Sequence, residues 1–298
     1  MTSLARILLT TSAVFAGALS AGAASAACTG AGLVTRIEGR PQDIVITREG
    51  APVARPRVLE VVCQGDIIRV SGQSRATLSV DGQGKVTVDP TKPFTVPARR
   101  GAPTVAGNAY RSVSDTVVPD MKRLPWDVRL KGGGTGFEFA LPALASGEQK
   151  LQAGRRDLLV RLAGGEGPYR VELLDASGAA VASATGAEQD LTIRGANLAA
   201  GTYKLKASDG AANAVEARVV VTAEAPPADA AIGDLPDAET RAAVRALTLA
   251  KSHPNVWAFE AVQVLSAAPA EGLDRARVFQ LLESYNPAEG EAGAATEG

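Results

Sequence analysis

Between residues 44 and 88 the chain breaks into five short runs rich in β-branched and aliphatic residues, at 44–47, 58–62, 67–70, 76–80 and 85–88. Turn-forming residues separate them, and strands at this spacing predict a sandwich or roll. Asp81-Gly82, between the last two runs, predicts a hairpin with a type I′ turn, whose positive φ angles suit Asp and Gly. With 46% hydrophobic but only 4% aromatic residues, the cores have to be built from Val, Leu, Ile and Ala. The 31 Gly and 17 Pro supply the many turns that short strands require.

The order of these runs resembles the FecR-like periplasmic domain. The residues that carry the likeness are Val53 to Arg57, then Val58 to Val62, then Gly65-Asp66-Ile67-Ile68-Arg69-Val70, then Ala76-Thr77-Leu78-Ser79-Val80-Asp81-Gly82, then Lys85-Val86-Thr87-Val88-Asp89-Pro90. It covers residues 32–97 and departs from the family at Val70, where Thr is common, and in its cysteine pair. The resemblance implies a small β domain outside the cytoplasm. The signalling role of the sigma-regulating members does not come with it, because their cytoplasmic segment and internal membrane helix have no counterpart here.

A second set of strands is expected at 137–141, 157–162, 169–174, 191–194, 203–207 and 217–222, after the Gly-rich run 132–136. Tyr169-Arg170-Val171-Glu172-Leu173, a turn at Asp175 to Gly178, and Ala200-Gly201-Thr202-Tyr203 resemble bacterial immunoglobulin-like domains, which implies a sandwich and no particular activity. Past an Ala-Pro-rich stretch the period changes to that of helices. Asp234 is expected to cap a first helix bearing Val244, Leu247 and Ala250, and Asn255 a second bearing Trp257, Ala261 and Leu265; a third runs over 272–284. Three helices in so short a segment must bury their apolar stripes somewhere, so docking on the β body is favoured over presenting a stripe to a partner helix.

The fold class expected is therefore mainly β: two small β domains, a FecR-like roll and an Ig-like sandwich, plus a short C-terminal three-helix segment. The boundaries are a signal peptide over 1–26, the first domain over 27–97, a linker over 98–131, the sandwich over 132–224, a linker over 225–233, helices over 234–286 and a disordered tail over 287–298. The signal rests on Arg6, an apolar run over 7–19 and Ala24-Ser25-Ala26, an A-x-A cleavage pattern. Export to the periplasm or beyond follows, with no transmembrane helix once the signal is removed. Lipidation at Cys28 is a minority alternative, since Leu is missing three residues before it. The two cysteines, Cys28 and Cys63, are expected to form a disulfide in that oxidising compartment.

The net charge of −1 conceals a gradient. Residues 28–131 carry 16 Lys and Arg against 10 Asp and Glu, 132–225 carry 9 against 11, and 226–298 carry 5 against 11. A basic first module can contact an anionic envelope polymer or an envelope protein, with Arg55, Arg57 and Arg69 as candidate contacts, although ordinary solvated faces are the commoner meaning of such charge. Nucleic acid is not expected as a partner, because the basic residues lack interleaved aromatics.

No catalytic set is legible, so no catalytic, cofactor or metal residue is assigned. The only histidine, His253, precedes Pro254 in a helix connection, and no zinc-peptidase, serine-hydrolase, penicillin-binding or phosphate-loop motif occurs. Asp66, Asp81 and Asp89 could group around Ca²⁺, but Asp-Gly turns have this spacing without metal far more often. Trp126, beside Pro125, is read as a packing residue at a domain junction rather than a ligand-stacking one. The leading reading is a non-catalytic exported binding or scaffolding protein. An accessory role in envelope signalling is the alternative, and a cell-wall glycosidase with paired carboxylates is a weaker one for a chain so poor in aromatics.

Overall fold

A computed structural model describes residues 28, 30–53, 56–98, 136–228, 232–233, 235–269 and 272–284. The expected signal peptide, Arg55, nearly all of the 98–131 linker including Trp126, Asp234 and the 287–298 tail lie outside the described residues. The fold is mainly β with a few C-terminal helices, as the sequence implies.

Two four-stranded sheets make the first module. One orders β4 (Val61–Cys63), β1 (Gly30–Glu38), β6 (Arg75–Val80) and β7 (Gly84–Val88); the other orders β3 (Ala51–Val53), β2 (Ile44–Arg48), β5 (Ile67–Val70) and β8 (Phe94–Thr95). All pairings within them are antiparallel. Alternation sends Ile44 and Ile46, Ile68 and Val70, and Ala76, Leu78 and Val80 into one shared core. The β6–β7 hairpin forms where Asp81-Gly82 predicts it, but Val80 pairs with Gly84, so the loop has three residues rather than two. Gly82 and Gly84, not Asp81, take the positive φ.

Strand β1 was not apparent in the sequence and is central. Residues Ala31 to Thr35 are buried in succession, which alternation forbids for a strand with one wet face. The reason is that its sheet is covered on both sides: Val34 joins the first module's core while Leu33 joins a larger one shared with the helices. The same division corrects the run expected as a strand over 58–62. Only Val61–Cys63 is strand, and Val58-Leu59 is a turn with Leu59 at φ 66°. A left-handed Leu costs about 1–2 kcal/mol, whereas burying the whole side chain returns a similar roughly 2 kcal/mol. Leu59 is fully buried against the helical side. At Gly32 a Cβ would lie 2.4 Å from the Ser79 carbonyl oxygen, so only glycine lets β1 and β6 approach this closely.

The predicted disulfide is present, with Cys28 and Cys63 Cα atoms 5.5 Å apart, tying the chain ahead of β1 to β4. Beneath it, fully buried Asp66 accepts from the Cys63 amide (2.8 Å) and from Arg48 Nε and Nη2 (3.1 and 2.9 Å). The Asp of the Gly65-Asp66 motif is thus a structural ion-pair partner rather than a metal ligand.

The second module is a two-sheet sandwich. A three-stranded sheet orders β14 (Asp190–Leu198), β11 (Gly154–Ala163) and β9 (Glu138–Phe139). A five-stranded sheet orders β10 (Gln149–Gln152), β16 (Ala214–Thr222), β15 (Gly201–Ser208), β12 (Tyr169–Leu174) and β13 (Ala180–Gly186). The chain leaves the first sheet after β9, makes one turn of helix α1 (Ala143–Ser146), and enters the second through β10, which pairs parallel with β16. Strands β10 and β13 carry few β-branched residues and lie at the two edges, which is why the sequence did not reveal them.

Three helices follow: α2 (Ala238–Ser252), α3 (Pro254–Ala267) and α4 (Arg275–Ser284). The cap of α2 is Asp237, not Asp234: its Oδ1 accepts from the Thr240 amide at 2.8 Å. His253, not Asn255, is the cap position of α3, with Pro254 in the first turn, where a missing N–H costs nothing. His253 also ends α2, its amide reaching the Leu249 carbonyl at 3.1 Å, so its role is to turn the corner between helices. The helices dock on the β body, as the favoured reading expects. Trp257, Phe259, Ala261 and Leu265 share one core with the sandwich and with Leu33, Val58, Leu59 and Val61 of the first module.

Polar side chains fix that docking. Glu260, 2% exposed, accepts from the Gln152 amide (3.1 Å) and from Arg156 (2.9 Å to each oxygen). Gln263 accepts from the Leu159 amide at 2.8 Å and donates to its carbonyl at 3.0 Å. Replacing Glu260 by Ala strands Arg156 and an edge amide in a buried interface, and should lower stability by roughly 3 kcal/mol or more in urea unfolding; Glu216→Ala, which breaks only the exposed pair with Lys204, should change it by under about 1 kcal/mol. Cys28→Ser with Cys63→Ser should cost about 3–4 kcal/mol by the same measurement, the chain-entropy value for a loop of this length.

Candidate functional site

Helix α4 lies between two concave surfaces, and arginines line both. On one side, where α3 and α4 close on β11 and β14, an open cleft of ≈ 770 Å³ is lined by Arg156, Arg194 and Arg275 together with Asp157, Thr192 and Phe279. On the other, a groove of ≈ 350 Å³ runs between α4 and the first module, lined by Arg57, Arg277, Asp274 and Gln280.

The cleft is built from three elements. Arg156 and Asp157 are adjacent on β11, where an irregularity between Arg156 and Leu158 breaks the alternation. Arg194 projects from β14, exposed, and Arg275 opens α4. Their charges are unequally compensated. Arg156 is held by Glu260, and Asp157 accepts from the Gly195 amide at 2.7 Å. Arg194 and Arg275 have no acidic partner among the described residues, and the Arg275 Nε is buried without an acceptor.

The groove brings two cations together at the seam between the first module and α4. Asp274 caps α4, its Oδ1 accepting from the Arg277 amide at 3.1 Å, while its own amide donates to the Thr35 carbonyl of β1 at 3.0 Å. Burial, and after it the charge of Arg57, lowers the Arg277 pKa, with Asp274 opposing. Of the expected contacts, then, Arg57 faces the helices. Arg69 stands on β5 opposite the exposed Val45, on the outer face of the other sheet, and does not line this groove. Arg277 and the cleft arginines were not singled out from sequence. Their signal is faint: Arg275 and Arg277 alternate at the start of a helix dominated by its apolar stripe, and Arg194 is one charge in a strand.

The other residues weighed for chemistry are occupied locally. Asp89 accepts from the Thr91 hydroxyl and amide, which hold its carboxyl below the usual range. Trp257 is buried, with Lys150 Nζ 5.6 Å from its ring centroid. Among the described residues no three His, Cys, Asp or Glu side chains converge to hold a metal ion, and no helix is long and apolar enough to cross a membrane.

No family model matches this chain, and neither does any curated protein. Solved structures give loose likenesses. CopC from Methylosinus trichosporium OB3b is 25% identical over 26% of this chain and 85% of its own, with a TM-score of 0.22. The complex of Porphyromonas gingivalis RgpB pro- and mature domains is 16% identical over 29% of this chain and 19% of its own, with a TM-score of 0.22. Drosophila N-cadherin EC1-3 is 11% identical over 66% and 56%, with a TM-score of 0.21. Likenesses this loose transfer neither a site nor an activity.

One acid beside the cleft reports on its geometry. Glu283, near the end of α4, pairs with Arg161 of β11, which also meets Asp190 (3.0 Å) and lies 4.7 Å from the centroid of the Phe279 ring. Burial pushes the Glu283 pKa up to about 7, against the opposing pull of Arg161. The folded chain therefore holds a proton that the unfolded chain releases near 4.5. The stability this confers is complete below pH 4.5 and is lost as pH rises through 7. Urea midpoints at pH 5 and pH 8 should show the wild type losing roughly 1–3 kcal/mol more than Glu283→Gln over that interval.

Proposed function

We propose that this chain is a non-catalytic exported envelope protein, periplasmic or secreted, that binds or scaffolds an anionic envelope polymer or an envelope protein. The observation that carries the reading is the seam groove, where Arg57 of the basic first module and Arg277 of α4 line one surface. Two arginines stand there against one lining carboxylate, Asp274, so the surface carries more positive than negative charge, which suits an acidic partner. The disulfide supports export, since such bonds persist in oxidising compartments. The signal-like N-terminus and the FecR-like succession of strands agree with it.

In this reading the chain is a rigid adaptor. Both β modules are pinned to the same helices, so a partner held at the first module is presented at a fixed orientation to whatever the sandwich meets. The test is fractionation of cells expressing the tagged full chain. Arg57→Glu, and separately Arg277→Gln, should release it from the envelope fraction and weaken the salt dependence of the binding that remains. Retention equal to wild type in a variant with an unchanged circular dichroism spectrum overturns the proposal.

A further inference from the structure

The cleft between the sandwich and the helices is distinct from the seam groove and shares no lining residue with it. Its volume of ≈ 770 Å³ falls within the range of small-ligand pockets. Three arginines from β11, β14 and α4 face it with one carboxylate, Asp157, among the described lining residues. Glu260 neutralises Arg156 and Asp157 offsets one further charge, so the lining keeps a net positive charge contributed by Arg194 and Arg275. Leu159 and Phe279 form part of the wall, and apolar walls strengthen the field of the cations above them. The Arg275 Nε is buried without an acceptor, so one donor of this partly exposed guanidinium is left unsatisfied by the fold. The Thr192 hydroxyl on β14 adds a neutral donor beside them.

We infer that this cleft is a binding site for an oxyanion group, a carboxylate or a phosphate, clasped between Arg194 of the sandwich and Arg275 of α4. A guanidinium presents paired N–H donors in a plane that matches either anion, and two of them on facing elements hold it from both sides. The site exists only while α4 is docked, so a bound anion stabilises the docked helices by linkage. It does not depend on Arg57 or Arg69, and it stands or falls apart from the envelope reading.

The test is calorimetric titration of the full, disulfide-intact chain with inorganic phosphate and, separately, with citrate. Saturable binding of either probe is expected, falling roughly tenfold or more in Arg194→Gln through loss of one charge-assisted contact. Arg194 is exposed on a strand, so this variant keeps the fold; Arg275→Gln should show the same loss of binding with an unchanged urea midpoint. Arg218→Gln, which removes an exposed pair with Glu148 elsewhere on the sandwich, should bind as wild type does. Which probe binds tells phosphate from carboxylate. Absence of saturable binding by both probes overturns the inference, as does binding that Arg194→Gln leaves unchanged or that Arg218→Gln weakens equally.

Discussion

The architecture depends on how one open edge of the sandwich is closed. After β9 the chain abandons its sheet, turns through α1 and joins the other sheet as β10, so the middle of β11, paired with β14 on one side, has no strand on the side where β9 ends. Leu159 there has an amide and a carbonyl that need partners, and Gln263 of α3 supplies both from a single side chain. Glu260 does the same for the Gln152 amide of β10, and Gln149 returns the favour by accepting from the Phe259 amide at 3.1 Å. A helix stands where a strand would otherwise add, which also removes an edge open to another chain.

That closure makes the helices a common wall for both β modules. The apolar face of α3 packs on β10 and β11, while α2 and α4 reach the first module: Asp237 meets the Ser79 hydroxyl, Glu239 meets Lys85 at 2.9 Å, and the Asp274 amide bonds β1. The first half of β1, Ala31 to Thr35, is in consequence covered on both faces of its sheet. This explains why Leu33, Val58, Leu59 and Val61 belong to the helical core although Val34 and Val62, their neighbours, belong to the module's own. The helical segment is thus a shared element of the core rather than an appendage.

The two arginine-lined surfaces follow from the same geometry, since each lies on one flank of α4. Neither was legible as a site. Arg57 was singled out from a count of charge along the first module, but its neighbour Arg277 comes from far along the chain, and the two meet only across the seam. Arg69, which looks equivalent in sequence, is turned away because it alternates with Ile68 and Val70 on β5. The buried Glu260 and Gln263 do leave a trace in the sequence: within Pro254–Ala267, otherwise almost wholly apolar, one charged residue and one glutamine sit a helical turn apart.

Sequence by itself determined the mainly β class, most of the strands with β-branched alternation, the β6–β7 hairpin, the Cys28–Cys63 pairing and the three helices with their apolar stripes. These features are local, or rest on a chemistry that leaves one choice, as two cysteines in one oxidised chain do. Tertiary structure decided the rest: that β1 is central, that β10 and β13 form edges, that Val58-Leu59 turns, and that Asp237 and His253 rather than Asp234 and Asn255 sit at the helix starts. It also decided which arginines face one another. Each of those outcomes depends on what packs against a residue from a distant part of the chain, and neither period nor propensity along the sequence carries that information.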